Sequence, residues 1–277
     1  GSKSWAVAEE DRMRVLEIGE AVRKSDVILL LIPDIAQAGA YSKFIEPNLS
    51  PGKVLCFAHG FSIAYGLVKP PKNIDVVMVV PKATGSRMRE AFLNGEGVPG
   101  LVSVHQDYSG EAKAVALALA KAIGLARKGI FECTFAQEAF ANLFAEQCVT
   151  VGGQVSLLKA GFDTMVKNGI PPEVAYLECV EVSRLMLEMI GKEGLKRTVC
   201  GISETAAYGA LTRGGKVIGA ESRKEMQNAF DGIRNGSFAR EWVAEHASGK
   251  RAFEEMKKQE SGHPLEPVGK KIRKALG

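Results

Sequence analysis

Hydrophobic residues follow two different rhythms along this chain, and the change comes near residue 134. Before it, short apolar runs at 26–33, 53–58, 75–80 and 101–104 are rich in β-branched residues and bounded by Pro, Gly or Asp, with a weaker run at 129–133. Helix-like stretches lie between them, the clearest at 112–123, rich in Ala, Leu and Lys. Continuous apolar strands separated by helices predict a parallel sheet covered on both faces, a doubly wound α/β domain. After residue 134 the strands stop. Apolar residues then recur at three- and four-residue spacing over 137–151, 154–167, 172–190 and 223–235, the period of amphipathic helices. Pro171 and Pro172 open one of these helices, where proline is tolerated, and Gly152 and Gly153 separate the first two. The reading is a sheet domain over 1–133 and an all-helical domain over 134–277, closing with a charged, mobile tail.

Composition narrows the field. A chain of 277 residues buries a sizeable core. Its net charge of +4 is too small to imply a nucleic-acid partner. No apolar run reaches the roughly 18 residues needed to cross a bilayer, and the first residues carry no apolar secretory stretch. Five cysteines are scattered without a C-x-x-C pair, which points to reduced thiols in a cytoplasmic setting.

One glycine motif misleads. Gly95, Gly97 and Gly100 satisfy G-x-G-x-x-G, but a dinucleotide fingerprint follows a strand and opens a helix, so that the pyrophosphate meets the helix N-terminus. This one precedes a strand and contains Pro99, so it reads as a loop. The true fingerprint should lie before the first visible strand. Loss of the first βαβ unit is expected over a domain that never had one, because a sheet without its first strand exposes an edge.

Ligands of an open α/β sheet bind beyond the C-terminal ends of its strands. His59 and Lys82 each follow an apolar run and so fall there. His59 alone reads as a capping or loop histidine; Lys82, just past Val80 and Pro81, sits at a poor place for a merely solvated lysine. Their matching positions favour a site. In the helical half, Glu138, Asn142 and Glu146 recur every four residues and share one helix face, and Glu178 lies in a second helix. Hard divalent cations take oxygen ligands, and a dinuclear site needs a bridging carboxylate. Asn142 offers one neutral oxygen and bridges poorly.

In order along the chain, Ser2 to Trp5, Leu31-Ile-Pro-Asp34, Phe57-Ala-His59-Gly-Phe61, Pro81-Lys82, Val104-His-Gln-Asp107, Leu143-Phe-Ala-Glu146-Gln, Gly152-Gly153, Tyr176-Leu-Glu178-Cys, the segment from Ser203 to Gly209 and the late His263-Pro-Leu-Glu-Pro-Val-Gly269 resemble ketol-acid reductoisomerase of the short-chain class. The resemblance covers nearly the whole chain. It implies a Rossmann-type NADPH domain, a knotted all-helical domain, and a homodimer or higher homo-oligomer in which both subunits contribute to each site. It also implies two Mg²⁺ ions that drive alkyl migration in a 2-acetohydroxy acid, followed by NADPH reduction of the resulting 2-keto acid. On it, Ser2, Ser4, Pro33 and Asp34 are cofactor-binding, His59 and Lys82 catalytic, Glu146 and Glu178 metal ligands, and Ser203 substrate-binding.

The departures from the family pattern gather at the metal site. Asn142 stands where the family places a bridging Asp, and Val182 where it places a further Glu. Ala207 and Ala210 replace acids, and Ala145 replaces a Gly. Glu181 lies next to the empty position, but one residue turns about 100° around a helix, so it is a doubtful substitute. Alkyl migration needs a bridged dinuclear site, whereas hydride transfer mainly needs NADPH over a polarised carbonyl and a proton donor. The expectation is a family oxidoreductase with a weakened or lost Mg²⁺ site that keeps reduction, its isomerase step impaired. The ordinary biosynthetic enzyme of branched-chain amino acids with a rearranged metal site and a non-catalytic NADPH-binding or dimer-partner homologue stand as alternatives.

Overall fold

The computed structural model describes residues 3–276. The chain forms two compact units, Gly1–Ala141 and Asn142–Gly277. In the first, the apolar runs fold as β1 (Val27–Leu30), β2 (Val54–Phe57), β3 (Asp75–Pro81), β4 (Gly100–Gln106) and β5 (Ile130–Glu132), side by side in sequence order. The helices of this unit are α1 (Lys3–Glu10), α2 (Ile18–Lys24), α3 (Asp34–Ala40), α4 (Phe61–Ala64), α5 (Gly85–Leu93) and α6 (Ala112–Ala122).

Successive strand residues point to opposite faces, and in this sheet both faces are core. Leu55, Phe57, Val76 and Met78 pack with Tyr41, Ile45 and Phe135 on one side. Val54, Cys56, Val77 and Val79 pack with Ala91, Ala116, Ala120 and Leu125 on the other. That is why β2 and β3 read as unbroken apolar runs. β1 forms one edge of the sheet, with Leu29 and Leu31 exposed.

One expectation needs correcting. β1–β2, β2–β3 and β4–β5 pair parallel, but β3 and β4 run antiparallel, with Pro81 opposite Gly100. A parallel crossover must carry the chain back along the seven residues of β3, about 23 Å. The nine-residue α5 rises only about 14 Å, and the chain re-enters the sheet where it left. The Gly95–Gly97–Gly100 loop is the packing device at this return. A Cβ on Gly97 would lie 2.3 Å from the Gly124 carbonyl oxygen, and one on Gly100 2.3 Å from Leu125 Cδ1.

The second unit is helical. It takes up the chain within α7 (Phe135–Ala145) and continues through α8 (Gly152–Lys167), α9 (Pro172–Tyr176), α10 (Val182–Gly201), α11 (Glu204–Val217), α12 (Ala220–Arg234), α13 (Ser237–Ala247), α14 (Arg251–Ser261) and α15 (Leu265–Leu276). π-helical turns join α7 to α8 at Glu146–Thr150 and α9 to α10 at Leu177–Glu181. The expected mobile tail is instead helical. Leu265, Val268 and Ile272 make an apolar stripe on α15 that packs on Phe162, Ala175 and Tyr176, and Gly269 lets Tyr176 approach so closely that a Cβ would sit 2.6 Å from its ring. Among the described residues no helix is long and apolar enough to cross a membrane, and all five cysteines are free thiols.

Burial between the sheet and its helices pushes the Cys56 thiol from an ordinary 9.0 up to about 12. The unfolded chain therefore loses this proton first as pH rises, and native stability contributed at Cys56 declines from about pH 9 towards about pH 12. Urea unfolding midpoints should fall over that range, and Cys56→Ala should make the fall shallower; an unchanged slope would contradict this assignment.

Candidate active site

Three neighbouring parallel strands deliver their ends to one edge of the sheet. Asp34 opens α3 shortly after β1, His59 lies two residues beyond β2, and Lys82 follows β3 directly. A fourth residue, Glu138 on α7, joins them. Its carboxylate is fully enclosed, with a side-chain exposure of 0% against 36% for Lys82. Lys82 Nζ donates to Glu138 Oε1 at 2.8 Å, and the Gly60 backbone N–H donates to Oε2 at 2.8 Å. His59 Nε2 stands 3.7 Å from the same Oε2. An enclosed carboxylate without such partners is strongly destabilising, so Glu138 holds both strand ends to α7.

Gly60 is the residue that allows this approach. A Cβ there would lie 2.1 Å from the Phe135 carbonyl oxygen and 3.3 Å from Ala139 Cβ. No side chain fits between the turn after β2 and the first turn of α7. Beyond Gly60, Phe61 stacks its ring on His59 with centroids 6.0 Å apart.

The other ring nitrogen of His59 meets Asp34. Nδ1 lies 2.9 Å from Asp34 Oδ2, and Gln37 Nε2 donates to Asp34 Oδ1 at 3.3 Å. The carboxylate expected to face a nucleotide is thus engaged on both oxygens from within the protein. Nearby, burial and the Glu138 charge push the Cys133 thiol up, against a downward pull from Lys82. A carboxylate, an imidazole and an ammonium at one strand edge form an acid–base set able to bind and protonate a carbonyl oxygen.

The remaining expected residues are placed as follows. Ser2 lies outside the described residues, and Ser4 is exposed in the first turn of α1, where Ala and Glu are strong helix formers. Pro33 is the exposed N-cap of α3. In the second unit, Glu146 and Glu178 are each on a π-helical turn, a feature often found at functional positions. Asn142 Nδ2 donates to Glu146 Oε1 at 3.2 Å, and Arg184 Nε donates to Glu181 Oε2 at 3.2 Å. Val182 offers no oxygen. Ser203 is the N-cap of α11, accepting from the Ala206 N–H at 3.3 Å. Among the described residues no three His, Cys, Asp or Glu side chains are grouped to hold a metal ion. At the positions the resemblance gives to metal, the carboxylates present are Glu146 and Glu178.

Glu138 is grouped by its spacing with Asn142 and Glu146, and its pairing with Lys82 is what sequence reasoning misses. Its signal is position: Phe135, Glu138, Ala139 and Leu143 are all buried and form the inward stripe of α7. A carboxylate on a core-facing stripe demands a cation nearby, and Lys82 is that cation.

Comparison with known proteins gives a consistent result. Residues 1–129 match the family profile described as acetohydroxy acid isomeroreductase, NADPH-binding domain, and residues 135–277 match ketol-acid reductoisomerase, C-terminal domain. A ketol-acid reductoisomerase (NADP(+)) from Pyrobaculum aerophilum is 48% identical over 276 residues, covering 100% of this chain and 84% of the relative. A ketol-acid reductoisomerase (NAD(+)) from the uncultured archaeon GZfos26G2 is 45% identical over 271 residues, 98% of this chain and 82% of its own length. Among solved structures, an NADH-preferring ketol-acid reductoisomerase from an uncultured archaeon superimposes with a TM-score of 0.94 at 45% identity, covering 99% of this chain and 82% of the other. A semialdehyde dehydrogenase NAD-binding protein from Cupriavidus necator, at 16% identity and a TM-score of 0.63 over 85% of this chain and 87% of the other, shares the fold alone.

Substituting Gly60→Ala tests the cluster directly. Relieving the 2.1 Å clash with Phe135 should cost about 1–3 kcal/mol of stability. It should also shift Gly60 N–H away from Glu138. Urea unfolding that shows no loss would mean the turn is not held as tightly as the geometry requires.

Proposed function

Because the chain belongs to the ketol-acid reductoisomerase family, we propose that it carries out that family's NADPH-linked conversion of a 2-acetohydroxy acid into a dihydroxy acid. The single observation that carries the reading is the His59–Glu138–Lys82 cluster at the open end of β2 and β3. NADPH, when bound, supplies the hydride. Ser2 and Ser4 are the residues proposed to meet its extra phosphate. Pro33, with exposed Leu31 and Ile32 at the end of β1, provides an apolar ledge suited to a nucleotide ring. His59 and Lys82 are proposed to bind the substrate carbonyl and supply the proton, with Glu138 fixing the lysine in place. The enzyme is proposed to work as a homo-oligomer in the cytoplasm. Exposed Leu185, Leu187, Leu195 and Leu211 on the helical unit support association, since apolar surface of this kind marks interfaces.

The name and overall similarity of the relatives favour the ordinary two-step enzyme, and they lend no support to an impaired isomerase step. A second reading, in which reduction survives without isomerisation, is favoured by the donor set of the second unit. There Asn142 and Val182 replace carboxylates, Asn142 donates to Glu146, and Glu181 is paired with Arg184. The roles proposed for His59, Lys82 and Glu138 are the same under both readings, because none of them depends on how that donor set treats Mg²⁺.

The discriminating experiment follows NADPH oxidation with 2-acetolactate and, separately, its already rearranged 2-keto acid across a Mg²⁺ titration. The ordinary reading expects turnover of both substrates, saturating in Mg²⁺. Turnover of the keto acid alone would select the second reading, and Asn142→Asp with Val182→Glu should then improve acetolactate use. No turnover of either would defeat both.

A further inference from the structure

Behind His59 lies a buried polar chain that the reaction chemistry alone does not call for. Ser62, with no exposed surface, donates its hydroxyl to Gln37 Oε1 at 2.7 Å. Gln37, itself 3% exposed, donates through Nε2 to the Ile32 carbonyl at 3.0 Å and to Asp34 Oδ1 at 3.3 Å. Asp34 Oδ2 then meets His59 Nδ1 at 2.9 Å. The orientation of the Gln37 amide follows from its neighbours: turned the other way, its oxygen would face two acceptors, and its nitrogen would face the hydroxyl.

We propose that Asp34, held by Gln37 and Ser62, is a positioning residue that keeps the proton of His59 on Nδ1. This proposal rests on the reading of His59 as a proton donor to the substrate. Asp34 as a carboxylate only accepts, so Nδ1 must carry hydrogen at this contact. Nε2 is thereby the ring nitrogen that exchanges a proton, and it is the one facing Glu138. The three partners come from two helices: Asp34 and Gln37 are one helical turn apart on α3, and Ser62 lies on α4. Asp34 thus acts through His59 rather than on the nucleotide.

The test uses Asp34→Asn, a near-isosteric change that removes the charge. Gln37 Nε2 still requires an acceptor, so the new amide should turn its oxygen to Gln37 and its nitrogen to His59, forcing Nδ1 to accept. ¹⁵N NMR of the imidazole nitrogens reads this directly; the chain has four histidines, and His59→Gln identifies the signal. The wild type should show a protonated Nδ1 on His59, and the variant should move that proton to Nε2. In kinetics with the rearranged 2-keto acid, kcat should fall by about 10–100-fold, with the KM for NADPH within about threefold and partial recovery in Asp34→Glu. A wild-type His59 protonated on Nε2 alone, or an unchanged tautomer in the variant, would overturn the proposal. So would a raised KM for NADPH with kcat intact, which would assign Asp34 to the cofactor. If the wild type reduces no keto acid, the functional reading fails, and the NMR result alone decides the role of Asp34.

Discussion

An enclosed carboxylate governs this fold's chemistry. Glu138 lies on the buried stripe of α7, out of reach of water, and an isolated charge in such a place is far too costly to persist. Lys82 and the Gly60 N–H satisfy it. The two donors come from the ends of different strands, so a single requirement of charge neutralisation fixes the end of β2, the end of β3 and the start of α7 against one another. His59 is carried to the same place because it immediately precedes Gly60. A glutamate turned inward rather than towards solvent converts a helix contact into a site.

The sheet makes this possible by being apolar on both faces. Alternate residues of β2 and β3 feed two separate cores, which locks the register and leaves the strand ends as the place where polar groups collect. Gly60 adds the close approach that a larger residue would forbid. Asp34 then reaches His59 from the end of β1, so three adjacent strands contribute to one cluster.

Much of this was legible in the sequence, and the exceptions have physical reasons. β2 and β3, buried on both faces, announce themselves as unbroken apolar runs, while β1, β4 and β5 show as shorter or weaker ones. Their direction was not legible: an apolar run reads the same either way, and only the shortness of α5 made β4 return antiparallel to β3. The placement of His59 and Lys82 at strand ends is readable because each follows an apolar run. Glu138 was grouped with Asn142 and Glu146 by its four-residue spacing, although its nearer companions are the buried Phe135, Ala139 and Leu143. The high charge of the last segment hid the three-residue and four-residue steps of Leu265, Val268 and Ile272 that dock α15. Asn142 and Val182, where the resemblance implies carboxylates, are plain in the sequence, whereas the hydrogen bond from Asn142 to Glu146 needs the side chains.

The central claim, that the enclosed Glu138 carboxylate depends on Lys82, is measured most directly by a double-mutant cycle. Glu138→Gln, Lys82→Met and the double variant would be compared with wild type by urea unfolding. If the pair is as described, losing Lys82 leaves the enclosed Glu138 short of its cation, whereas Lys82, 36% exposed, can turn to water when Glu138 is lost, and the coupling energy should be about 1.5–3 kcal/mol. Additivity of the two single changes to within about 0.5 kcal/mol would contradict the account, because Lys82 would then be a solvated lysine that happens to lie near an enclosed acid.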